Sequence, residues 1–187
     1  MLTALVLLLT ALVPPPTPVT IDVLSTEGTG CLPGTTAVAP SPDRTAFTVT
    51  YSDFLVQGKG SEAKKDCRIT LRVNHPQGYT YGIAATDYRG FANLDKGAGG
   101  EKRAKYFFPG MPARNLKHAL TGPMSDDWQS TDRPSPGDVI HGPCKEKKPL
   151  TIDAELRIKA KDDTSFITMD STDSSVTATF KLSWKKC

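Results

Sequence analysis

Residues 67–91 read Cys67-Arg-Ile-Thr-Leu-Arg-Val-Asn-His-Pro-Gln-Gly-Tyr-Thr-Tyr-Gly-Ile-Ala-Ala-Thr-Asp-Tyr-Arg-Gly-Phe91, and this stretch decides the fold class. From Cys67 to Val73 apolar and polar residues alternate, a period of two that is typical of a strand with one buried face. Pro76-Gln77-Gly78 is turn chemistry, because proline presets φ and glycine tolerates positive φ. A second strand-like run begins at Tyr79. We therefore predict one long antiparallel unit, a hairpin closed by this turn.

The same alternation recurs along the chain, and no segment has a sustained apolar period of 3.6 residues. Further strand-like runs lie at 18–23, 35–39, 46–51, 103–108, 150–160, 166–169 and 176–184. This pattern predicts an all-β domain, an antiparallel two-sheet sandwich, with a β-barrel-like closure as the alternative. Residues 51–66 and 122–143 are polar and rich in turn residues, so we expect long loops there, whereas 114–121 is consistent with a strand or a helical turn.

The first residues form an apolar run of about a dozen residues that ends at a proline cluster, 14–16. Such a run is too short to span a bilayer and is typical of the core of a signal peptide. No Lys or Arg precedes it and no clear cleavage motif follows, so the cut is placed only within 11–16. We predict a signal peptide at 1–16, a single four-cysteine domain at 17–187, secretion, and no membrane insertion once the signal is removed.

The chain has four cysteines, Cys31, Cys67, Cys144 and Cys187. In a secreted chain an even number without a Cys-x-x-Cys pair predicts two disulfides rather than a metal site. Three pairings are possible. We favour Cys31–Cys67 and Cys144–Cys187, since each pairs neighbours along the chain.

Composition and motifs exclude several function classes. A net charge of +3 is too small to indicate nucleic-acid binding. The three histidines, His75, His118 and His141, accompany no Gly-x-Ser-x-Gly nucleophile motif, so no catalytic triad is predicted. Only one ligand-like pair is present, His141 with Cys144, so we expect no metal site and no cofactor.

Two local clusters are interpreted as structural rather than functional. Asp126 and Asp127 precede Trp128, but adjacent strand residues point to opposite faces and make a poor catalytic carboxylate pair. Asp87 and Arg89 share one face across Tyr88. We expect these two to form a structural ion pair.

Several short motifs together resemble the secreted microbial family known as domain of unknown function 4360. They are Gly28-Thr-Gly-Cys31-x-Pro-Gly34, Ser41-Pro-Asp43 with Ala46-Phe-Thr-Val49, Cys67 with Pro76-x-Gly78, Asp87-Tyr-Arg-Gly90, Gly122-Pro123, Pro143-Cys144, and Met169-Asp-Ser-Thr-Asp173 with Trp184-x-x-Cys187. The resemblance implies a signal peptide followed by a four-cysteine β-domain. It implies no catalytic residue.

These observations favour a non-enzymatic extracellular binding module whose ligand is a glycan, a wall polymer or a protein. One alternative is an extracellular enzyme acting on a glycan or other polymer, with a site in the predicted loops 51–66 and 122–143. It would require Asp126, Asp127, His118 or His141 to converge in a cleft. The other alternative is a structural surface or matrix protein.

Overall fold

The structure, a computed structural model, describes residues 17–58, 62–161, 163–169 and 178–187. Within these ranges the chain forms twelve strands and one short 3₁₀ helix, Pro136–Asp138, and contains no α-helix. The strands are β1 (Thr20–Glu27), β2 (Thr36–Pro40), β3 (Ala46–Tyr51), β4 (Leu55–Gln57), β5 (Glu62–Asn74), β6 (Tyr79–Leu94), β7 (Gly99–Phe107), β8 (Arg114–Thr121), β9 (Met124–Asp132), β10 (Leu150–Lys159), β11 (Phe166–Thr168) and β12 (Ala178–Lys186). No helix of these ranges has the length and apolarity needed to traverse a bilayer. The predicted signal peptide, 1–16, lies outside the described residues.

The strands form two antiparallel sheets, which confirms the predicted sandwich. The first sheet has the order β1-β5-β10-β7-β8, and the second has β2-β3-β12-β6, with β11, β4 and β9 also joined through β6. Both sheets are open, since β1 and β8 end the first sheet without pairing to each other. The alternative of barrel-like closure is therefore wrong.

The predicted hairpin at 67–91 is also wrong, although both of its strands exist. β5 pairs with β1 and β10 in the first sheet. β6 pairs with β12, β9 and β11 in the second sheet. The turn after Asn74 therefore carries the chain from one sheet to the other. A period of two identifies a strand and its buried face, but both hydrogen-bonding edges of β5 are taken by strands that are distant in sequence.

β6 is the central strand of the second sheet, and it changes its buried face once. Its register with β12 moves from Lys181↔Ala85 to Leu182↔Ile83, so one residue of β6 is unpaired. Such a bulge reverses the inward and outward alternation beyond it. Tyr81 before the bulge and Tyr88 after it therefore both face the core, whereas a straight strand would have placed them on opposite faces.

The core lies between the two sheets and is built from the predicted apolar stripes. Ile69 of β5, Ile152 of β10 and Tyr106 of β7 are cross-strand neighbours and are buried. From the second sheet, Phe180 stacks on Phe47 with ring centroids 4.8 Å apart. Burial of such large side chains contributes about 1.5 to 3 kcal/mol each to folding.

Three segments expected to be irregular or undecided contain strands. The region 122–143 includes β9, the region 51–66 includes β4 and the start of β5, and 114–121 is β8. β9 was not predicted because, among the described strands, it pairs only with β6. Its mostly polar residues are typical of an edge strand with one solvated face. Trp128 is its buried residue.

Two disulfides join Cys31 to Cys67 and Cys144 to Cys187, the favoured pairing. The first bridge is buried and ties the loop after β1 to the middle of β5. The second is exposed and holds the C-terminal residue to the connection between β9 and β10. Each bridge thus secures a segment that has few ladder hydrogen bonds of its own.

Gly90→Ala is expected to lower the free energy of unfolding by about 3 kcal/mol. A Cβ at Gly90 would lie 1.9 Å from the Thr168 carbonyl oxygen and 2.6 Å from the Trp128 ring. The backbone oxygen cannot move without breaking the β6–β11 pairing. Chemical denaturation measures the loss, and Gly137→Ala is the control, because a Cβ there meets nothing within 4 Å. Equal stability of the two variants would contradict this account of the packing.

Candidate functional site

The outer face of the first sheet carries charged side chains in ordered cross-strand rows. One row runs Glu27, Arg68, Asp153, Lys105 and Asn115 across β1, β5, β10, β7 and β8. Acidic and basic groups alternate along its charged part. Since directly opposed Cβ atoms lie about 5 Å apart, every charge in this row has an opposite charge beside it.

Asp153 is the hub of this row. It accepts hydrogen bonds from Arg68 Nε at 2.6 Å and from a second nitrogen of the same guanidinium at 3.0 Å. Lys105 Nζ lies 3.3 Å from Asp153 Oδ2, the oxygen that also accepts the second of these hydrogen bonds. Burial acts to raise the pKa of Asp153, but the hydrogen bonds and charges of Arg68 and Lys105 outweigh it and lower the pKa. The carboxylate is therefore ionised and held in place at neutral pH.

The next row runs Asp66, Glu155, Arg103 and Lys117 across β5, β10, β7 and β8. Its acids lie on one half of the sheet and its bases on the other. Both bases contact Glu101 of β7, with Lys117 Nζ at 2.5 Å. Glu101 is thus shared between two cations.

A second cluster of ion pairs flanks these rows. Glu155 is bound by Arg157 of its own strand, which also donates to Glu62 at 2.9 Å. Lys64 lies 4.0 Å from Glu155. The outer face is therefore a network of mutually oriented charges rather than a set of independent side chains.

The first two rows line a trough of about 860 Å³ that crosses all five strands of the first sheet. Its polar side chains come from the residues named in those rows together with Lys64. Glu27 and Asp66, at the end near β1, form no ion pair within the described chain. Among the described residues that line the trough, none is aromatic. We refer to this feature as the trough.

Lys102 places a charged side chain on the inner face of the same sheet, where the core should be apolar. Lys102 of β7 is completely buried. Its Nζ lies 3.6 Å from the centre of the Tyr88 ring and 3.3 Å from the Ser130 hydroxyl. Burial lowers the pKa of Lys102 to about 7, and the negative charge of Asp132 offsets only part of that effect.

Polar side chains of β8 and β9 close the side of the sandwich beside Lys102. Arg114 of β8 donates two hydrogen bonds to Asp132 of β9, at 2.9 and 2.6 Å. His118, opposite Lys102 in the ladder, has its ring 5.9 Å from that of Trp128. Burial, followed by the charge of Lys102, lowers the pKa of His118. These contacts join the edge strands of the two sheets.

Comparison with known proteins identifies the family. Residues 17–187 match the family described as Domain of unknown function (DUF4360). The chain belongs to the DUF4360 family. The resemblance seen in the motifs is confirmed, and the whole described fold falls within the matched residues.

Two further proteins are similar to this DUF4360 chain. One, from Arthroderma benhamiae, is named "Uncharacterized secreted protein"; it is 29% identical over 181 residues, which cover 93% of this chain and 74% of the relative. The other is a solved structure of TmCBM61 in complex with beta-1,4-galactotriose, with 10% identity, a TM-score of 0.34, and coverage of 93% of this chain and 92% of that one. At that TM-score the structural likeness carries no argument about fold or ligand.

The structure does not bring together the residues considered for catalysis, which lie on β9, on β8 and after the 3₁₀ helix. Asp126 and Asp127 are exposed on β9, where an Asp126 side-chain oxygen accepts a hydrogen bond from the Asp127 backbone. His141 contacts the Val139 carbonyl and the Ser183 hydroxyl. In the part of the chain that the structure describes, no hydrogen bond or ion pair joins His118 or His141 to either aspartate or to each other.

Asp87 has partners other than the one expected from the sequence. Its carboxylate accepts a hydrogen bond from Thr131 at 2.5 Å and lies 3.5 Å from Arg133. Arg89 is exposed. Arg133 directly follows β9, which pairs with β6. The ion pair of Asp87 with Arg133 therefore joins β6 to the residue just after β9.

The aromatic residues lie partly in the core and partly at the surface, where none of the described rings is fully exposed. Tyr106 and Phe108 are buried, and Phe107 between them lies on the outer face, with Lys105 Nζ 4.8 Å from its ring centre. Phe91 and Phe166 are half-buried neighbours, with ring centroids 6.0 Å apart. In the strand ladders Phe91 pairs with Asp127 of β9, and Phe166 pairs with Asn93 of β6. These two rings are the alternative ligand platform to the trough.

Metal binding has no constellation of side chains to support it in the described ranges. No group of three or more His, Cys, Asp or Glu side chains there is placed to hold a metal ion. All four cysteines are bridged.

Sequence reasoning missed both Lys102 and the trough. For Lys102 a signal was present: the alternation of Ala104, Tyr106 and Phe108, extended backwards, places position 102 on the inner face. For the trough no signal was present in the sequence. Its cross-strand rows depend on the pairing register between strands that are far apart along the chain. The DUF4360 chain thus carries its two most informative features on opposite faces of one sheet.

Proposed function

We propose that this DUF4360 chain acts outside the cell as a non-enzymatic binding module and that the trough holds its ligand. Two disulfides fit an oxidising extracellular compartment. The relative from Arthroderma benhamiae, named as secreted, supports the same location. We further propose that residues 1–16 direct export and are removed.

The trough is the observation that carries the proposal. Concave sites of roughly 300 to 1,000 Å³ are typical of ligand binding, and the trough has about 860 Å³. Several of its charged groups are held by ion pairs, as Arg68 and Lys105 are by Asp153. Side chains that are already ordered lose little entropy when a ligand binds.

An extracellular enzyme with a loop-borne site receives less support from the geometry. The regions that were expected to be loops, 51–66 and 122–143, contribute strands to the sandwich. Catalysis needs an acid or base within hydrogen-bond reach of a partner. Two such approaches are Lys102 with Ser130 and His141 with Ser183, each at 3.3 Å. Lys102 is sealed in the core, and the other ring nitrogen of His141 meets the Val139 carbonyl rather than a carboxylate.

Asn115→Trp is expected to weaken ligand binding by about tenfold or more. Asn115 is exposed at the β8 end of the trough, so an indole there fills space that the ligand needs. A panel of glycans, wall-polymer extracts and secreted proteins, tested by pull-down and titration, identifies a ligand and measures the loss. Gln129→Trp is the control, because Gln129 is also exposed, on the edge strand β9 of the other sheet. A ligand that binds both variants like the wild type, or the absence of any ligand, overturns the proposal.

A further inference from the structure

We infer that the trough binds a neutral polysaccharide chain lying across the five strands of the first sheet. This inference rests on the proposed function and names its ligand class. The hydrogen-bonding chemistry of the trough, its charge balance and its length all favour such a ligand.

The hydrogen-bonding chemistry of the trough is interleaved. Arginine and lysine only donate hydrogen bonds, and ionised carboxylates only accept them. Along the first row Arg68, Asp153 and Lys105 therefore present donors, acceptors and donors in turn. A hydroxyl group both donates and accepts, so a chain with many hydroxyls finds a partner at every position. A chain with only donors or only acceptors does not.

The charge balance argues against a charged polymer. Five basic and four acidic side chains line the trough, so its net charge is small. A polyanion would meet Asp153 and Glu155 in the middle of the trough, and a polycation would meet Arg68 and Arg103. A ligand without charge is repelled by neither the acidic nor the basic side chains. Binding it also takes no charged group of the ligand out of water.

The dimensions of the trough fit a polymer rather than a single sugar. Neighbouring strands lie about 4.8 Å apart, so five strands span about 19 Å. The lining side chains extend from Glu27 on β1 to Asn115 and Lys117 on β8. A ligand that contacts both ends must therefore be several sugar units long.

The pair of Phe91 and Phe166 on the second sheet is the rival platform for a sugar. Aromatic rings can stack on the apolar faces of ligands, and these two are 6.0 Å apart. The trough is favoured because its polar groups are oriented on three adjacent strands by the contacts of Asp153. The test therefore includes a substitution on each sheet.

The experiment measures binding of the full chain to neutral glucan, mannan and xylan, to polygalacturonate as a charged counterpart, and to secreted protein extract. The variants are Asn115→Trp and Asp153→Ala in the trough, and Phe166→Ser and Gln129→Trp on the second sheet. We expect one neutral polysaccharide to bind, with an affinity about tenfold lower in both trough variants and unchanged in the other two. Binding should persist in about 1 M salt, where surface charges are screened beyond about 3 Å.

The possible failures are distinguishable. Trough-dependent binding only to polygalacturonate or to a protein overturns this inference and leaves the proposed function standing. Polysaccharide binding lost in Phe166→Ser and kept in Asn115→Trp assigns the site to the second sheet and overturns both. The absence of binding to every probe overturns both as well. Thermal unfolding of each variant separates loss of a contact from loss of the fold, and Asn115→Trp remains informative if Asp153→Ala unfolds.

Discussion

Lys102→Met should raise the free energy of unfolding at pH 7 by about 2 to 4 kcal/mol, the largest stabilisation that we expect from one substitution. Lys102 is completely buried, and burial lowers its pKa from 10.5 to about 7. Folding at neutral pH must therefore either bury the ammonium or release its proton. Methionine has a similar shape and carries no charge, so this cost disappears.

The pH dependence of the free energy of unfolding also tests whether the burial of Lys102 is costly. Between pH 7 and about pH 10 the unfolded chain binds the Lys102 proton more tightly than the folded chain, so the wild type becomes more stable as pH rises. We expect a gain of about 2 kcal/mol from pH 7 to pH 9. Lowered pKa values of His118 and His141 add instability below about pH 6.5. Above about pH 10 the trend reverses, since burial raises the pKa of Tyr51 and Tyr81 and only the unfolded chain ionises them.

Urea denaturation between pH 6 and pH 9 measures both effects. Lys102→Met should remove most of the rise between pH 7 and pH 9, and the pKa of His118, followed by NMR, should increase because the nearby charge is gone. Lys96→Met is the control, because Lys96 is exposed in the turn after β6. Loss of stability in Lys102→Met would mean that the contacts to Tyr88 and Ser130, with the attraction of the Asp132 charge, outweigh the cost of burial.

Replacing both Cys31 and Cys67 by alanine should lower the free energy of unfolding by about 4 kcal/mol or more. The bridge closes a segment of 36 residues, and the chain-entropy relation gives about 4 kcal/mol for that length. Both sulfur atoms are buried, so their removal also costs packing. A loss of this size is a large part of the stability of a typical domain.

The second bridge provides the comparison. Cys144–Cys187 closes 43 residues, so the entropic part of its removal is similar. Both of its cysteines are exposed, so no packing is lost and a mild reductant should open this bridge first. Denaturation of the two double variants, with thiol labelling during reduction, measures both differences. Equal reactivity of the two bridges, or a smaller loss for Cys31–Cys67 than for Cys144–Cys187, would contradict this assignment.

The strand pattern was predictable because it is local. In β5 and β10 the alternation of apolar and polar residues marked the strand, its buried face and its solvated face. In β9 it failed, because an edge strand with one buried residue, Trp128, has almost no alternation to detect. In β6 one unpaired residue shifts the alternation of inward and outward side chains by one position. The inward position of Tyr88 therefore could not be obtained by counting from Tyr81.

The candidate site was predictable only in its composition. Arg68, Asp153 and Lys105 were identifiable as solvated residues of three strands, but they are 37 to 85 positions apart along the chain. Their alternation of charge exists only once β10 lies between β5 and β7 in one register. Similarly, the alternation of β7 indicates that Lys102 faces inward, but its contacts with Tyr88 and Ser130 depend on how the second sheet packs against the first.

The sequence by itself determined that this chain is an all-β domain, which residues of its clearer strands are buried, and that its cysteines form two disulfides. These properties follow from neighbours in sequence, because side-chain alternation and turn chemistry act over a few residues. The tertiary structure decided which strands pair, and so turned the expected hairpin at 67–91 into a crossing between two sheets. Pairing depends on which distant strand occupies each edge, and that same choice aligned Arg68, Asp153 and Lys105 into the trough.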